Sequence, residues 1–187
     1  MRTLKLKLTA ILIILLGFIS NCSKDEKKVS VFVGDYVITE ATVAESFNIP
    51  ITGVGNVPVQ AGIPITTAIQ TALLNAVSSC SADKTYVEMR DDFSLYMSCE
   101  GASPINAGTW SEVSATQLLL NLNSTAVPPS GISLAVTEVV KNGTILTGNS
   151  TVPMPKAFIA AIIAPATLEP SAPPIFLVKI SLKFTQK

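Results

Sequence analysis

The sequence offers few of the side chains that enzymes commonly use for catalysis. It contains no histidine and three cysteines, Cys22, Cys80 and Cys99. Without histidine the chain cannot form a Ser-His-Asp triad, a cysteine–histidine pair or a histidine-ligated metal site. Asp91-Asp92 is the one adjacent acidic pair beyond residue 26, and its place between two strand-like segments favours a turn over a general acid–base pair. We therefore expect a non-enzymatic protein with no cofactor and no metal.

The amino-terminal segment has the pattern of an export signal. Three basic residues among the first seven precede an apolar run from Leu8 to Ile19. The run is shorter than the roughly 20 residues of a membrane-spanning helix, and a basic start before a short apolar run is typical of a secretory signal peptide. It ends in Ile19-Ser20-Asn21-Cys22, which resembles the lipobox of bacterial lipoproteins, although Asn21 stands where Gly or Ala is commonest.

The lipobox resemblance implies that residues 1–21 are removed and that Cys22 is acylated. Acyl chains would hold the protein on a membrane, since each buried CH₂ contributes about 0.8 kcal/mol and two or three chains give stable attachment. Residues 22–30 would then be the lipidated cysteine with a polar tether, and residues 31–187 a single β-rich domain. The alternative is an ordinary signal peptide or an uncleaved anchor. We expect a lipid-anchored protein of the bacterial cell envelope, at the outer membrane.

The charge of the mature chain argues against a nucleic-acid partner. Loss of residues 1–21 removes three of the 13 basic residues and none of the 13 acidic ones, which leaves a net charge of −3. Charged residues make up 14% of the chain and hydrophobic ones 48%. This composition is typical of a globular domain and lacks the basic patch that binding to a polyanion requires.

Cys80 and Cys99 remain once Cys22 is assigned to acylation. An even pair in an exported chain is most simply a disulfide, because the compartment is oxidising. The alternative is a free redox or nucleophilic cysteine. The sequence provides neither a histidine to activate such a thiol nor a Cys-x-x-Cys pair.

The body of the chain alternates strand-like segments with turn residues. The last strand shows the pattern most clearly, since Val178, Ile180, Leu182 and Phe184 face one way and the polar residues between them the other. Lys141-Asn142-Gly143 separates two apolar runs, and Asn-Gly is the strongest short-range hairpin signal. Short strands at regular spacing indicate a sandwich or a barrel. The predicted strands are 31–47, 85–89, 93–97, 110–113, 117–123, 132–140, 144–152 and 175–184.

Two segments are predicted to be helical. Pro64 to about Ser79 has apolar residues at helical spacing, with Pro64 suited to the first helical position, and we expect it to pack on the sheet. Residues 157–164 form a short stretch that is apolar on nearly every side. Such a stretch must be buried in the core, pressed into the mouth of a cavity or covered by a partner. Its place between prolines favours a surface or cavity-mouth contact.

The stretch from Phe32 to Asn123 looks like the lipocalin-like domains of small bacterial lipoproteins. The matching pieces are Phe32-x-Gly34-x-Tyr36, the segment 80–84, Cys99 and Gly108-Thr109-Trp110. The resemblance implies a mainly β fold, an antiparallel up-and-down barrel or half-barrel with one packed helix, and a Cys80–Cys99 disulfide. The segments 48–79 and 153–174 depart from the pattern, so the β-sandwich remains the alternative fold.

The resemblance also implies binding of a small apolar molecule. We expect Tyr36, Tyr96, Trp110 and Phe158 to line the ligand site. The chain would then be a lipid-anchored, non-enzymatic envelope protein that binds a small apolar ligand or another protein. The alternative function is a structural or interaction lipoprotein with a solid core and no ligand cavity.

Overall fold

A computed structural model describes residues 29–74, 84–123 and 132–187, and Val31–Lys187 form one compact unit. The predicted signal peptide, Cys22, most of the tether and Cys80 lie outside the described residues, as does the carboxyl end of the predicted first helix. The described strands are β1 (Gly34–Val43), β2 (Phe47–Ile51), β3 (Gly55–Val59), β4 (Thr85–Met89), β5 (Ser94–Cys99), β6 (Ile105–Ser114), β7 (Gln117–Leu122), β8 (Ile132–Asn142), β9 (Ile145–Pro155) and β10 (Ile175–Gln186). The described helices are α1 (Thr66–Leu74) and α2 (Lys156–Ile163).

Eight of these strands close into an antiparallel barrel. From β4 to β10 each strand pairs with the next one along the chain, and β1 completes the circle by pairing with β10 on one side and β4 on the other. The predicted up-and-down barrel is therefore confirmed, and the half-barrel and sandwich alternatives are wrong. The register follows the hydrophobic alternation, because a shift by one residue would turn the apolar side chains of a strand to water.

The seam between β1 and β4 is short and is extended by α1. Strand pairing there covers only Gly34–Tyr36 against Val87–Met89. Farther along β1, the N–H of Ala41 donates to the hydroxyl of Thr66 at 2.9 Å, and Gln70 Nε2 donates to the carbonyl of Ile38 at 2.9 Å. The beginning of α1 thus satisfies the backbone groups of β1 that a neighbouring strand would otherwise bond.

Buried side chains form two clusters on the inward face of the sheet. The first core surrounds Trp110, and the second combines residues of β1, β9 and β10 with residues of α2 and of the β2–β3 hairpin. Burial removes these apolar side chains from water, which is the main stabilising term of the fold. The first core contains Phe32, Tyr36, Met89, Leu95, Met97, Ala107, Trp110, Leu118, Val136, Val139 and Leu146. The second contains Ala41, Val43, Ile49, Ile65, Met154, Ile159, Ala172, Phe176, Val178, Ile180 and Leu182.

Two predicted turns are present, one of them shifted by a residue. Asp91 and Asp92 form the turn between β4 and β5, as predicted, and Asp92 accepts hydrogen bonds from both the N–H and the hydroxyl of Ser94. Between β8 and β9, Asn142 pairs with Ile145, so Gly143 and Thr144 are the central residues of the turn. Of these two residues, only Gly143 has a positive φ, 58°. This is the type II′ pattern, with glycine first, rather than the predicted Asn-Gly type I′ turn.

The region from residue 47 to residue 66 differs from the prediction. Strands β2 and β3 form a separate hairpin that the sequence analysis missed, because each strand contains a proline and prolines argue against a strand. The helix begins at Thr66 instead of Pro64, since Pro64 forms an isolated bridge with Thr42 of β1. Among the described residues, neither helix is long and apolar enough to cross a membrane.

Candidate functional site

Trp110 lies at the centre of the first core and holds the turn between β4 and β5. Its side chain is 1% exposed, and its indole Nε1 donates to the carbonyl of Arg90 at 3.0 Å. Its backbone N–H donates to the carbonyl of Phe93 at 2.9 Å, and the two ring centroids are 5.3 Å apart. These contacts satisfy the indole N–H without a ligand, so the environment of Trp110 is that of a packed core residue.

Tyr36 belongs to the same buried cluster. Its side chain is 1% exposed, and its ring makes an edge-on contact with Phe184 at 6.5 Å between centroids. The ammonium of Lys141 donates to the Tyr36 hydroxyl at 2.8 Å, to the carbonyl of Val31 at 2.7 Å and to Gln186 Oε1 at 3.1 Å. Lys141 therefore ties the end of β8 to the beginning and the end of the barrel wall.

Tyr96 lies on the opposite side of the barrel wall from Tyr36 and Trp110. Its neighbours Leu95 and Met97 belong to the first core, so the alternation of the strand turns Tyr96 outward. There the guanidinium of Arg90 stacks over the Tyr96 ring at 3.7 Å from the centroid. The structure thus brings together two of the predicted ligand residues and separates Tyr96 from them.

Glu88 forms the centre of a polar cluster beside Tyr96. Its carboxylate accepts hydrogen bonds from Arg90 Nε at 3.0 Å, from Arg90 Nη2 at 2.6 Å and from the Ser98 hydroxyl. Burial raises the pKa of Glu88, but these hydrogen bonds outweigh it and hold the pKa below its ordinary value. The cluster therefore stabilises the fold above the pKa of an unfolded glutamate, and the contribution is lost as the pH falls through the lowered pKa.

Phe158 lies on α2, away from the other three predicted ligand residues. It is half-buried against the second core, whereas Ile159 is 3% exposed within that core and Ile162 is 43% exposed. The segment predicted to make a surface contact therefore packs one face on the sheet. Its ligand role stays a prediction.

The structure also contains a groove on the outer wall that the sequence analysis missed. It has a volume of about 360 Å³ and lies where β1, β10, β9 and β8 run side by side. Alternating polar residues on β10 predicted a wet face there, but the groove also includes Glu138 from the bulge of β8 between Thr137 and Val140, which no residue pattern signals. We call it the outer groove; the residues that line it are Glu40, Thr42, Glu138, Thr147, Gly148, Asn149, Ser181, Leu182 and Lys183.

Within residues 29–74, 84–123 and 132–187, no group of three acidic, cysteine or histidine side chains is placed to hold a metal ion. No protein-family model matches the chain, and no curated protein is significantly similar to it. Acylation of Cys22 and the Cys80–Cys99 disulfide stay predictions from the sequence, because Cys22 and Cys80 lie outside the described residues.

Proposed function

We propose that this protein is a lipid-anchored, non-enzymatic component of the bacterial cell envelope, at the outer membrane, that acts through the outer surface of a solid barrel. The anchor rests on the lipobox-like end of the signal segment. The solid barrel is the alternative that the sequence left open, and one observation carries it: Tyr36 and Trp110, two of the four residues expected to line an inner ligand site, are packed into the first core.

Packing in the first core supports this proposal. Tyr36, Leu95, Trp110 and Leu118 come from four different strands, and each is at most 2% exposed. A ligand site needs concave space between such side chains. Here the polar atoms of Tyr36 and Trp110 are already bonded to Lys141 and to the backbone of Arg90. An apolar ligand could enter this core only by displacing these buried side chains from their packing.

The second core supports the same proposal from the other end of the long strands. Ile49 of β2, Ile65 before α1 and Ile159 of α2 are buried in one cluster with residues of β10. The ammonium of Lys156 donates to the carbonyls of Glu169 and Pro170 at 2.9 and 3.0 Å. It thereby fixes the connection from α2 to β10 beside this core.

Photolabelling tests the solid barrel. The full chain, reconstituted in vesicles, is irradiated with a fatty acid that carries a diazirine, and the adducts are mapped by mass spectrometry. We expect no adducts on the inward side chains Leu95, Trp110 and Leu118. Saturable labelling of these residues, suppressed by excess unlabelled fatty acid, would show an inner ligand site and overturn the proposal in favour of apolar-ligand binding.

Metabolic labelling tests the anchor. Cells that express the protein are fed an alkyne-bearing palmitate analogue, and the Cys22→Ala variant is compared with the unchanged chain. We expect the variant to lose the label and to leave the membrane fraction. A variant that still takes up the label and stays membrane-bound would show that the anchor assignment is wrong.

A further inference from the structure

The outer groove is built by half-buried and exposed side chains on neighbouring strands. Asn149 of β9 and Ser181 of β10 are cross-strand partners and form its floor. Its volume of about 360 Å³ lies within the range of roughly 300–1,000 Å³ that small-molecule sites occupy. The groove can therefore hold a ligand of a few ring units at most, on the outer wall of the barrel.

Hydrogen bonds fix the polar groups of the groove in place. Asn149 Nδ2 donates to Glu138 Oε2 at 2.6 Å, and the Ser181 hydroxyl donates to Asn149 Oδ1 at 2.6 Å. Each of these groups retains further capacity, since a carboxylate accepts several hydrogen bonds and an amide nitrogen has two hydrogens. The groove thus presents both donors and acceptors in a pre-organised arrangement.

The charges of the groove favour a ligand without charge. Glu40 and Glu138 would repel a phosphate, a sulfate or a carboxylate. The ammonium of Lys183, whose Nζ lies 3.7 Å from Glu40 Oε2, opposes a dedicated cation site. A ligand rich in hydroxyl groups meets no such penalty, because a hydroxyl both donates and accepts hydrogen bonds.

Glu138 is held in the groove by a strained backbone. Its φ is 55°, in the left-handed region that non-glycine residues rarely adopt, and it lies within the bulge of β8. Such a conformation is energetically unfavourable, and bulges re-aim side chains beside functional sites. The bulge directs the carboxylate of Glu138 towards Asn149, across the groove from Glu40.

From the shape, the donors and acceptors, the charge balance and the strained bulge, we propose that the outer groove binds an uncharged carbohydrate, with Glu138 and Asn149 bonded to adjacent hydroxyl groups of the sugar. The proposal rests on the proposed function and deepens it, because it names the ligand class that the outer surface takes. A lipid-anchored protein with this site would hold on to a neutral glycan of the envelope.

A glycan array tests the site. The full chain is extracted from membranes in a detergent without a sugar headgroup and is applied to neutral, acidic and amino oligosaccharides. We expect binding to at least one neutral glycan. Isothermal titration with that glycan should show that Glu138→Gln and Asn149→Ala each weaken the affinity about tenfold, the size expected for losing one hydrogen bond to a charged or amide group.

Thr151→Ala is the matched control. Thr151 is exposed and lies two residues beyond Asn149 on the same face of β9, outside the groove. The affinity of this variant for the glycan should therefore stay within about twofold of that of the unchanged chain. The proposal is overturned if no neutral glycan binds, if only acidic or amino glycans bind, or if the groove variants bind as well as the control. Photolabelling detects ligands inside the barrel, and the glycan array detects ligands on its outer wall. The solid-barrel proposal and the carbohydrate-site proposal can therefore fail independently.

Discussion

Gly108 is a position at which the barrel wall leaves no room for a side chain. Its φ is 139°, and a Cβ atom placed on it would lie 1.8 Å from the backbone oxygen of Asn121 on β7. Real Cβ atoms cannot approach backbone so closely, and the opposing strand cannot move without breaking the ladder. Glycine at this position allows β6 and β7 to meet beside Trp110.

We therefore expect Gly108→Ala to lower the melting temperature of the full chain sharply, with a loss of several kcal/mol or more in unfolding free energy. Gly101→Ala is the control, because Gly101 also has a positive φ, 85°, but nothing lies within 4 Å of its Cβ position. It should cost only the backbone strain, on the order of 1 kcal/mol. Equal losses in the two variants, measured by thermal melts, would show that the clash with Asn121 is relieved at no cost.

Two buried serines differ in whether their hydroxyl groups are bonded. Ser98 is fully buried and its hydroxyl donates to Glu88, whereas Ser150 is 3% exposed and its hydroxyl has no hydrogen-bond partner in the structure. An unpaired buried hydroxyl is destabilising, so removing it costs little. The two positions form a matched pair for the same substitution.

Ser98→Ala should lower the unfolding free energy by about 1–3 kcal/mol, because it leaves part of the Glu88 carboxylate without a donor. Ser150→Ala should leave the unfolding free energy unchanged or raise it. Urea unfolding at neutral pH measures both. A loss at Ser150 as large as that at Ser98 would indicate that the Ser150 hydroxyl is bonded in solution, for example to a buried water.

At the scale of the elements, the sequence predicted strands better than their connections. Strand β4 has the predicted bounds, and the inward residues of β10 are those that the alternation assigned, since a period of two survives wherever one face is buried. The β2–β3 hairpin was missed because its prolines obscure the strand pattern. The outer groove could not be predicted, because a bulge in β8 and the pairing of four strands create it.

The short helix α2 shows why composition alone could not decide between core and surface. Residues 157–164 are apolar on nearly every side, so their sequence contains no polar face to mark the side in contact with water. Packing on β9 and β10 makes the distinction, with Ile159 buried and Ile162 exposed. The exposed fraction of Phe158 is intermediate between those of Ile159 and Ile162.

Ile159→Ala should cost about 2–5 kcal/mol of unfolding free energy, the range for removing a buried branched side chain. Ile162→Ala makes the same change at an exposed position of the same helix, and its effect should stay within about 0.5 kcal/mol. Thermal and urea unfolding of the two variants measure the difference. If Ile162→Ala were as costly as Ile159→Ala, the outer side of α2 would be covered in solution, as the contact-surface interpretation of this segment requires.

At the scale of the whole molecule, the main sheet closes into a barrel, with its two cores inside and its polar clusters on the outer face. The two cores share the inward face of one continuous sheet, with Phe184 packed against both. The polar clusters around Glu88 and in the outer groove lie on the opposite face. In the function that we propose, the barrel core is solid and recognition takes place on the outer wall.

The predicted disulfide between Cys80 and Cys99 depends on the compartment in which the protein folds. Cys99 ends β5, opposite Thr85 at the start of β4. A bond to Cys80 would close a loop that spans residues 80–99, and it would tie the approach to β4 to the end of β5. In the chain-entropy treatment a loop of this length stabilises the fold by about 3 kcal/mol, since it restricts the unfolded chain. An oxidising compartment outside the cytoplasm would maintain such a bond.

We expect thiol counting on the unfolded, unreduced Cys22→Ala chain to find no free thiol, because Cys80 and Cys99 are then the only cysteines left. Reduction should release two thiols and lower the melting temperature. The Cys80→Ala/Cys99→Ala double substitution, made in the same background, distinguishes loss of the disulfide from other effects of the reductant. The melting temperature of this variant should match that of the reduced chain, and it should not change when reductant is added. Two reactive thiols before reduction would show that the disulfide prediction is wrong, and the loop would then depend on packing alone.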